Sequence, residues 1–124
     1  MSDYSPLKGT TGFKRILNAT GYSLAGFKAA YQHEAAFRQV IWINIILIPI
    51  TFFVDVSSVE QALMIGVCLL AMIVELFNSA LEAVVDRVSL ELHPLSKNAK
   101  DMGSAAQFVA QAIIFFTWVI ILFK

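Results

Sequence analysis

The sequence predicts an all-α membrane protein, with three transmembrane helices preceded by an N-terminal amphipathic surface helix, in a single domain over residues 1–124. Three observations predict it. Hydrophobic residues make up 58% of the chain and charged residues 15%, against roughly 45–50% apolar and about 25% charged in soluble domains. The apolar residues gather into three runs, each close to the ~20 residues that cross a bilayer core of about 30 Å. The Lys and Arg residues, apart from Lys124, flank those runs on one side. A chain of 124 residues has no room for a separate soluble nucleotide-binding fold, so any chemistry must share residues with the scaffold. A formal net charge of zero gives no general attraction for nucleic acid.

The surface helix is expected over about 13–32. Phe13, Ile16, Leu17, Leu24, Phe27 and Tyr31 fall on one stripe at ~100° per residue, with Lys14, Arg15, Asn18 and Gln32 away from it. Such a helix lies in the membrane interface, as an anchor or as the roof of a site. Gly21 and Gly26 each weaken helix propensity by about 1 kcal/mol relative to Ala, so a break or bend is expected there.

The membrane helices are expected over about 36–54, 62–86 and 102–123. The first carries Asn44 and Pro49, and a proline kinks a membrane helix without abolishing it. Lys8, Lys14, Arg15, Lys28 and Arg38 precede it, the Asp55–Gln61 link has no Lys or Arg, and the second link carries Arg87, Lys97 and Lys100. The positive-inside rule then places the N-terminus and second link in the cytoplasm and the C-terminus on the periplasmic side of a cell inner membrane. No apolar core of a cleavable signal is visible near the start, so the first membrane helix is expected to direct insertion. Cys68 has no partner for an intrachain disulfide and is expected to pack.

The second run changes character at Val74. Glu75, Asn78, Ser79, Glu82 and Asp86 fall within a sector of about 100° on a helix, while Leu76, Phe77, Ala80, Leu81, Val84 and Val85 cover the rest. A carboxylate in hydrocarbon costs at least ~2.5 kcal/mol on insertion scales, so such groups have partners and a role. Glu82 stands about 10 Å nearer the cytoplasm than Glu75, and Asp86 about 6 Å further, at ~1.5 Å per residue. Carboxylates near the interface suit Mg²⁺ with substrate phosphates, and a deeper one suits general-base work. Polar bonding between helices, through Asn78 and Ser79, is the structural alternative. Asp86 close to a helix C-terminus opposes the macrodipole unless the helix continues or a cation such as Arg87 compensates.

The link after this helix, "RVSLELHPLSKNAKDMGS", is punctuated by Pro94, with Ser96 or Asn98 as the expected start of the last helix. Lys97 and Lys100 suit phosphate as point charges, although Lys97 alone is read as ordinary positive-inside charge. No P-loop, dinucleotide fingerprint, protein-kinase set or Cys/His metal spacing is present, and neither is an internal repeat or low-complexity segment. Gln107 and Gln111, one turn apart in the last run, are read as interhelical hydrogen bonding.

The stretches "TGFKRILNATGYSLAGFKAA", "EAAFRQ", "VELFNSALEAVVDRV" and "HPLSKNAKDMGSAA" together resemble the prokaryotic integral-membrane diacylglycerol kinases over most of the chain. The resemblance implies a homotrimer with active sites shared between subunits, and transfer of the ATP γ-phosphoryl group to diacylglycerol, giving phosphatidic acid. On matching positions it implies that Glu75 is the catalytic base and that Glu34 and Glu82 hold Mg²⁺ against the ATP phosphates. It adds Arg15, Tyr22, Glu91, His93, Lys100 and Asp101 to the nucleotide contacts, beside Glu34 and Glu82. Arg15, Ala19, Thr20, Ser23, Lys28, Tyr31 and Ser104 would line the lipid path to Glu75, with Asn78 and Asp86 in support.

Val40 stands where proteobacterial members often carry an acid, and "HPLSK" is also similar to the undecaprenol kinases of the same superfamily. Undecaprenol kinase is the second enzyme reading. A small oligomeric transporter or proton channel, with Glu75 as carrier site, is the reading from another class, but it has no use for Lys100 and Asp101 beside further carboxylates.

Overall fold

The computed structural model describes residues 12–124, so Lys8, counted among the N-terminal charges, lies outside the described residues. Among the described residues four helices follow one another: α1 Gly12–His33, α2 Ala35–Ile50, α3 Ser58–Val88 and α4 Pro94–Leu122. No strand occurs among the described residues. Two of the helices, α3 and α4, are long and apolar enough to cross a membrane.

The interior of one helix and the boundaries of three differ from expectation, each for a local reason. α1 runs unbroken through Gly21 and Gly26, because neither glycine is asked to leave the right-handed region. α2 stops at Ile50, and the chain tightens into a turn in which the N–H groups of Thr51, Phe52 and Phe53 donate to the carbonyls of Ile48, Pro49 and Ile50 at 3.1, 3.1 and 3.0 Å. Such three-residue bonding is a usual way to close a helix end. α3 begins at Ser58 because Ser57 and Glu60 form a reciprocal capping box. α4 begins at Pro94 and not at Ser96 or Asn98. Proline is tolerated in a first turn, where its missing N–H would have no partner anyway, and His93 Nδ1 accepts the Leu95 N–H at 3.1 Å.

The core is the antiparallel pair α3 and α4. Met64, Cys68 and Ala71 of α3 are buried against Ala110, Ile114, Trp118 and Ile121 of α4. Cys68 packs as expected. In hydrocarbon there is no hydrophobic drive between helices, so close packing and satisfied polar groups hold them together. Small residues allow the first. For the second, the Trp118 indole N–H donates to the Met64 carbonyl at 3.2 Å, and Asn44 Nδ2 of α2 donates to the Cys68 carbonyl at 3.1 Å. Glu60 and Lys124 pair at the end of the hairpin remote from the second link. The outer faces are apolar: Phe77, Phe108, Phe115 and Phe116 are all exposed.

α1 touches the rest of the chain through its last third. Ala30 is its one buried residue, and the Phe27 ring meets Phe37 of α2 at 6.3 Å between centroids. The remaining apolar stripe, Phe13, Ile16, Leu17 and Leu24, is uncovered and suits an interfacial helix.

Candidate functional site

The polar face of α3 is sorted by depth. Glu75 is 1% exposed, and the Ser79 hydroxyl, one turn on, donates to its Oε2 at 3.3 Å. Asn78 is half-buried, with its Oδ1 enclosed and without a partner. Gly103 of α4 lies directly against it: a Cβ there would overlap the Asn78 carbonyl oxygen and stand 3.1 Å from its Cγ. The glycine is what lets α4 pass Asn78.

Two turns from Glu75 the acids are paired by folding. Glu34 is the single non-helical residue between α1 and α2, in extended conformation, and its side chain makes no cap bond. Its carboxyl is held above the usual range, first by burial and then by the neighbouring Glu82 and Asp86, with His33 opposing. Like charges brought this close favour either a proton or a cation between them. No group of three or more His, Cys, Asp or Glu suited to a metal occurs among the described residues. A pair of carboxylates with oxygens left for phosphate is nonetheless the donor set that Mg²⁺ takes in phosphoryl-transfer sites, so Glu34 and Glu82 fit this ion.

Cations complete the cluster. Lys100 Nζ of α4 is 2.7 Å from Asp86 Oδ1. Its ammonium is favoured first by that hydrogen bond and further by the charges of Asp86, Glu82 and Glu34. The compensation for Asp86 at the end of α3 thus comes from the next helix. Lys97 and Asp101 pair one turn apart at 2.6 Å.

Two cavities open beside these groups. One, of about 810 Å³, sits under the second link and is lined by Asp86, Glu91, His93, Lys97, Lys100 and Asp101 among others. The other, of about 540 Å³, lies between α1 and α3; it is walled by Gly26, Ala29, Ala30, Ala80 and Ala83, with Ser23, His33, Glu34 and Ser79 at its polar positions. The link cavity carries charged groups of both signs on a largely apolar wall, and the other is apolar with His33 and Glu34 at its edge. Glu75 is in the lining of neither, but Ser79, whose hydroxyl donates to it, is part of the wall of the cavity between α1 and α3.

Within one chain the fold therefore brings Glu34, Glu82, Asp86 and Lys100 near one another; Asp86 and Lys100 share the link cavity with Glu91, His93 and Asp101, Glu34 lines the cavity between α1 and α3, and Glu82 lines neither. It does not gather the rest. Arg15, Tyr22, Lys28, Tyr31 and Ser104 are exposed and line neither cavity. Ala19 is exposed on α1, its carbonyl accepting the Ser23 hydroxyl at 2.9 Å, and the Thr20 hydroxyl donates to the Ile16 carbonyl at 2.9 Å. Two residues escaped the reading of the sequence. Arg38 Nη1 donates to the carbonyls of Tyr31 and Gln32 at 2.7 and 3.3 Å, capping α1 from α2 and fixing the chain around Glu34. A basic residue four positions after the acid was the available signal. Gly103 was the other, and a lone glycine in an apolar run gives none.

Residues 21–122 match the family described as prokaryotic diacylglycerol kinase. The chain is 72% identical over 118 residues to the diacylglycerol kinase of Pseudomonas aeruginosa, covering 95% of this chain and 96% of the relative. It is 49% identical over 114 residues to that of Haemophilus influenzae, covering 92% and 97%. With that of Escherichia coli K12 it shares 48% over 115 residues, covering 93% and 94%.

Proposed function

The chain belongs to the prokaryotic diacylglycerol kinase family, and from that premise we propose that it transfers the γ-phosphoryl group of ATP to the free hydroxyl of diacylglycerol, giving phosphatidic acid and ADP. The observation that carries the assignment of roles is the separation along α3: a sealed carboxylate at Glu75, and two turns nearer the link a carboxylate pair, Glu34 and Glu82, beside Lys100. A lipid alcohol stays at the interface, so its base must be within the membrane and the phosphate groups must stay near water.

Glu75 takes the hydroxyl proton as the lipid oxygen bonds to the γ-phosphorus and the bond from that phosphorus to the β,γ-bridging oxygen breaks. The Ser79 hydroxyl holds one oxygen of the carboxyl. Glu34 and Glu82 would hold Mg²⁺, which when bound neutralises phosphate charge. Lys100 offers its ammonium to the same phosphates, exchanging Asp86 for them. His93, Glu91 and Asp101 border the nucleotide in the link cavity. Phosphoryl transfer needs mainly position and charge neutralisation, which this set supplies without a P-loop. The small-residue cavity between α1 and α3 receives the glycerol end of the lipid.

The enzyme works as a homotrimer in the inner membrane. Arg15, Tyr22, Lys28, Tyr31 and Ser104, which reach no cavity of their own chain, then face the site of a neighbouring subunit, and the exposed phenylalanines meet lipid or that neighbour. α2 is the third span: its 16 residues rise about 24 Å, and the apolar turn through Val54 extends that toward the ~30 Å required. The N-terminus is cytoplasmic and the C-terminus periplasmic. The test of function is labelled ATP offered with diacylglycerol or with undecaprenol in detergent micelles. Label in phosphatidic acid is expected; label only in the undecaprenol product overturns the choice of alcohol.

A further inference from the structure

The register of α3 against α4 is fixed at two places. Toward one end the Trp118 indole donates to the Met64 carbonyl, and toward the link Gly103 closes on Asn78. Each residue forward along α4 is thus matched by one back along α3. Gln107, one turn past Gly103 on the same face of α4, stands level with Val74 and Glu75. Its side-chain nitrogen and oxygen are both buried and neither has a partner, so the hydrogen bonding expected of it between helices is not made. The Asn78 Oδ1 is buried in the same condition.

A carboxamide enclosed without partners is costly, and an apolar side chain of the same size would pack there without that cost. The two orphaned groups are complementary. Gln107 Nε2 is a donor and Asn78 Oδ1 an acceptor, one turn apart on facing helices. Asn78 in turn lies beside the Glu75 carboxyl, as Ser79 does. Only the NH₂ end of an Asn side chain can donate to a carboxylate; turned the other way, its oxygen repels it. A donor that holds the Asn78 oxygen on the α4 side therefore selects the orientation that supports Glu75.

We propose that Gln107 is a positioning residue for phosphoryl transfer: it donates to Asn78 Oδ1, keeps the Asn78 NH₂ group turned toward Glu75, and so fixes the carboxyl that accepts the lipid proton. This rests on the reading of Glu75 as the base.

The test compares Gln107→Met, close in volume and without hydrogen bonds, with Asn78→Ala, the double variant and Glu75→Gln, each purified as the assembled enzyme. For Gln107→Met we expect kcat to fall roughly tenfold, the scale of one lost hydrogen bond, with both KM values within about twofold. The double variant should be no slower than Asn78→Ala alone, because Gln107 acts through Asn78. An unchanged kcat, or losses that multiply in the double variant, overturns the proposal. If Gln107→Met does not assemble, Gln107→Asn sets the amide back by one methylene, and normal kcat there overturns it equally. Near-normal turnover of Glu75→Gln would instead remove the base itself, whereas inactive Glu75→Gln with normal Gln107→Met removes only the role of Gln107.

Discussion

Replacing Glu75 by Gln keeps the shape of the side chain and its bond from Ser79, since the Gln carbonyl oxygen still accepts the hydroxyl that donates to Glu75 at 3.3 Å. What it removes is the ability to take a proton. Loss of a general base costs about 10²–10⁴ in rate. Two features of the fold put this case in the upper half. Glu75 is 1% exposed, so bulk water does not replace it, and the next carboxylate along α3, Glu82, is two turns or about 10 Å away. We expect turnover to fall about 10³–10⁴-fold, or about 4–5 kcal/mol of barrier at ~1.4 kcal/mol per factor of ten. The assay is initial-rate turnover of diacylglycerol in micelles, paired with the affinity of a non-hydrolysable ATP analogue. That affinity should be unchanged, because the groups around the link cavity are untouched. Stability in detergent should hold or rise, because a buried charge has gone. A Glu75→Gln enzyme with near-normal turnover refutes the reasoning, since Gln would then be serving as well as Glu in a purely structural bond.

Glu82→Gln leaves Glu34 alone to hold the ion, so half-maximal activity should need several-fold more Mg²⁺; an unchanged titration removes Glu82 from the metal shell. In the wild-type enzyme the same titration should shift to higher Mg²⁺ as pH falls. The Glu34 carboxyl is raised by burial and by Glu82, so the folded state holds its proton more tightly than the unfolded chain does. The proton-bound form is favoured below the folded-state pKa and lost above it, so acid competes with Mg²⁺ from a higher pH than a free Glu would allow; a pH-independent Mg²⁺ requirement contradicts this. Gly103→Ala drives a Cβ into the Asn78 carboxamide and should destabilise the α3–α4 pair by about 1–3 kcal/mol, measured as thermal inactivation in detergent. Arg38→Leu removes the donor to Tyr31 and Gln32, and proteolysis near α1 should accelerate while the α3–α4 pair stays protected.

The sequence showed best what a single helix can show. The stripe of α1 and the acids of α3 are periodic patterns, visible before any contact is known, and the helices formed where those patterns ran. The ends were less legible because they are set by local bonding: the Ser57–Glu60 capping box and the turn after Pro49 moved α3 and α2 by four residues from the expected limits. What no pattern could supply was the meeting of elements. Glu34 is distant in sequence from Glu82, and only the break between α1 and α2 brings them together. Asp86 could have been served by Arg87, yet the cation came from Lys100. Gln107 looked like a bonding residue because its type suggested one, and burial without a partner is a property of packing alone.

The attachment of α1 has a mechanical consequence. This helix of 22 residues is about 33 Å long and is held at one end, by Ala30, the Phe27–Phe37 contact and Arg38. It is a lever whose fulcrum is next to Glu34. A tilt of about 10° would sweep the Gly12 end through about 6 Å of the lipid surface while the carboxylate beside the pivot hardly moves. Lys14 and Arg15, far out on the arm, would travel with it. Leverage separates the two ends: the distal arm can be soft without loosening the chain around Glu34, and changes in bilayer thickness or headgroup packing should act on the Gly12 end before they act on the carboxylates near the pivot.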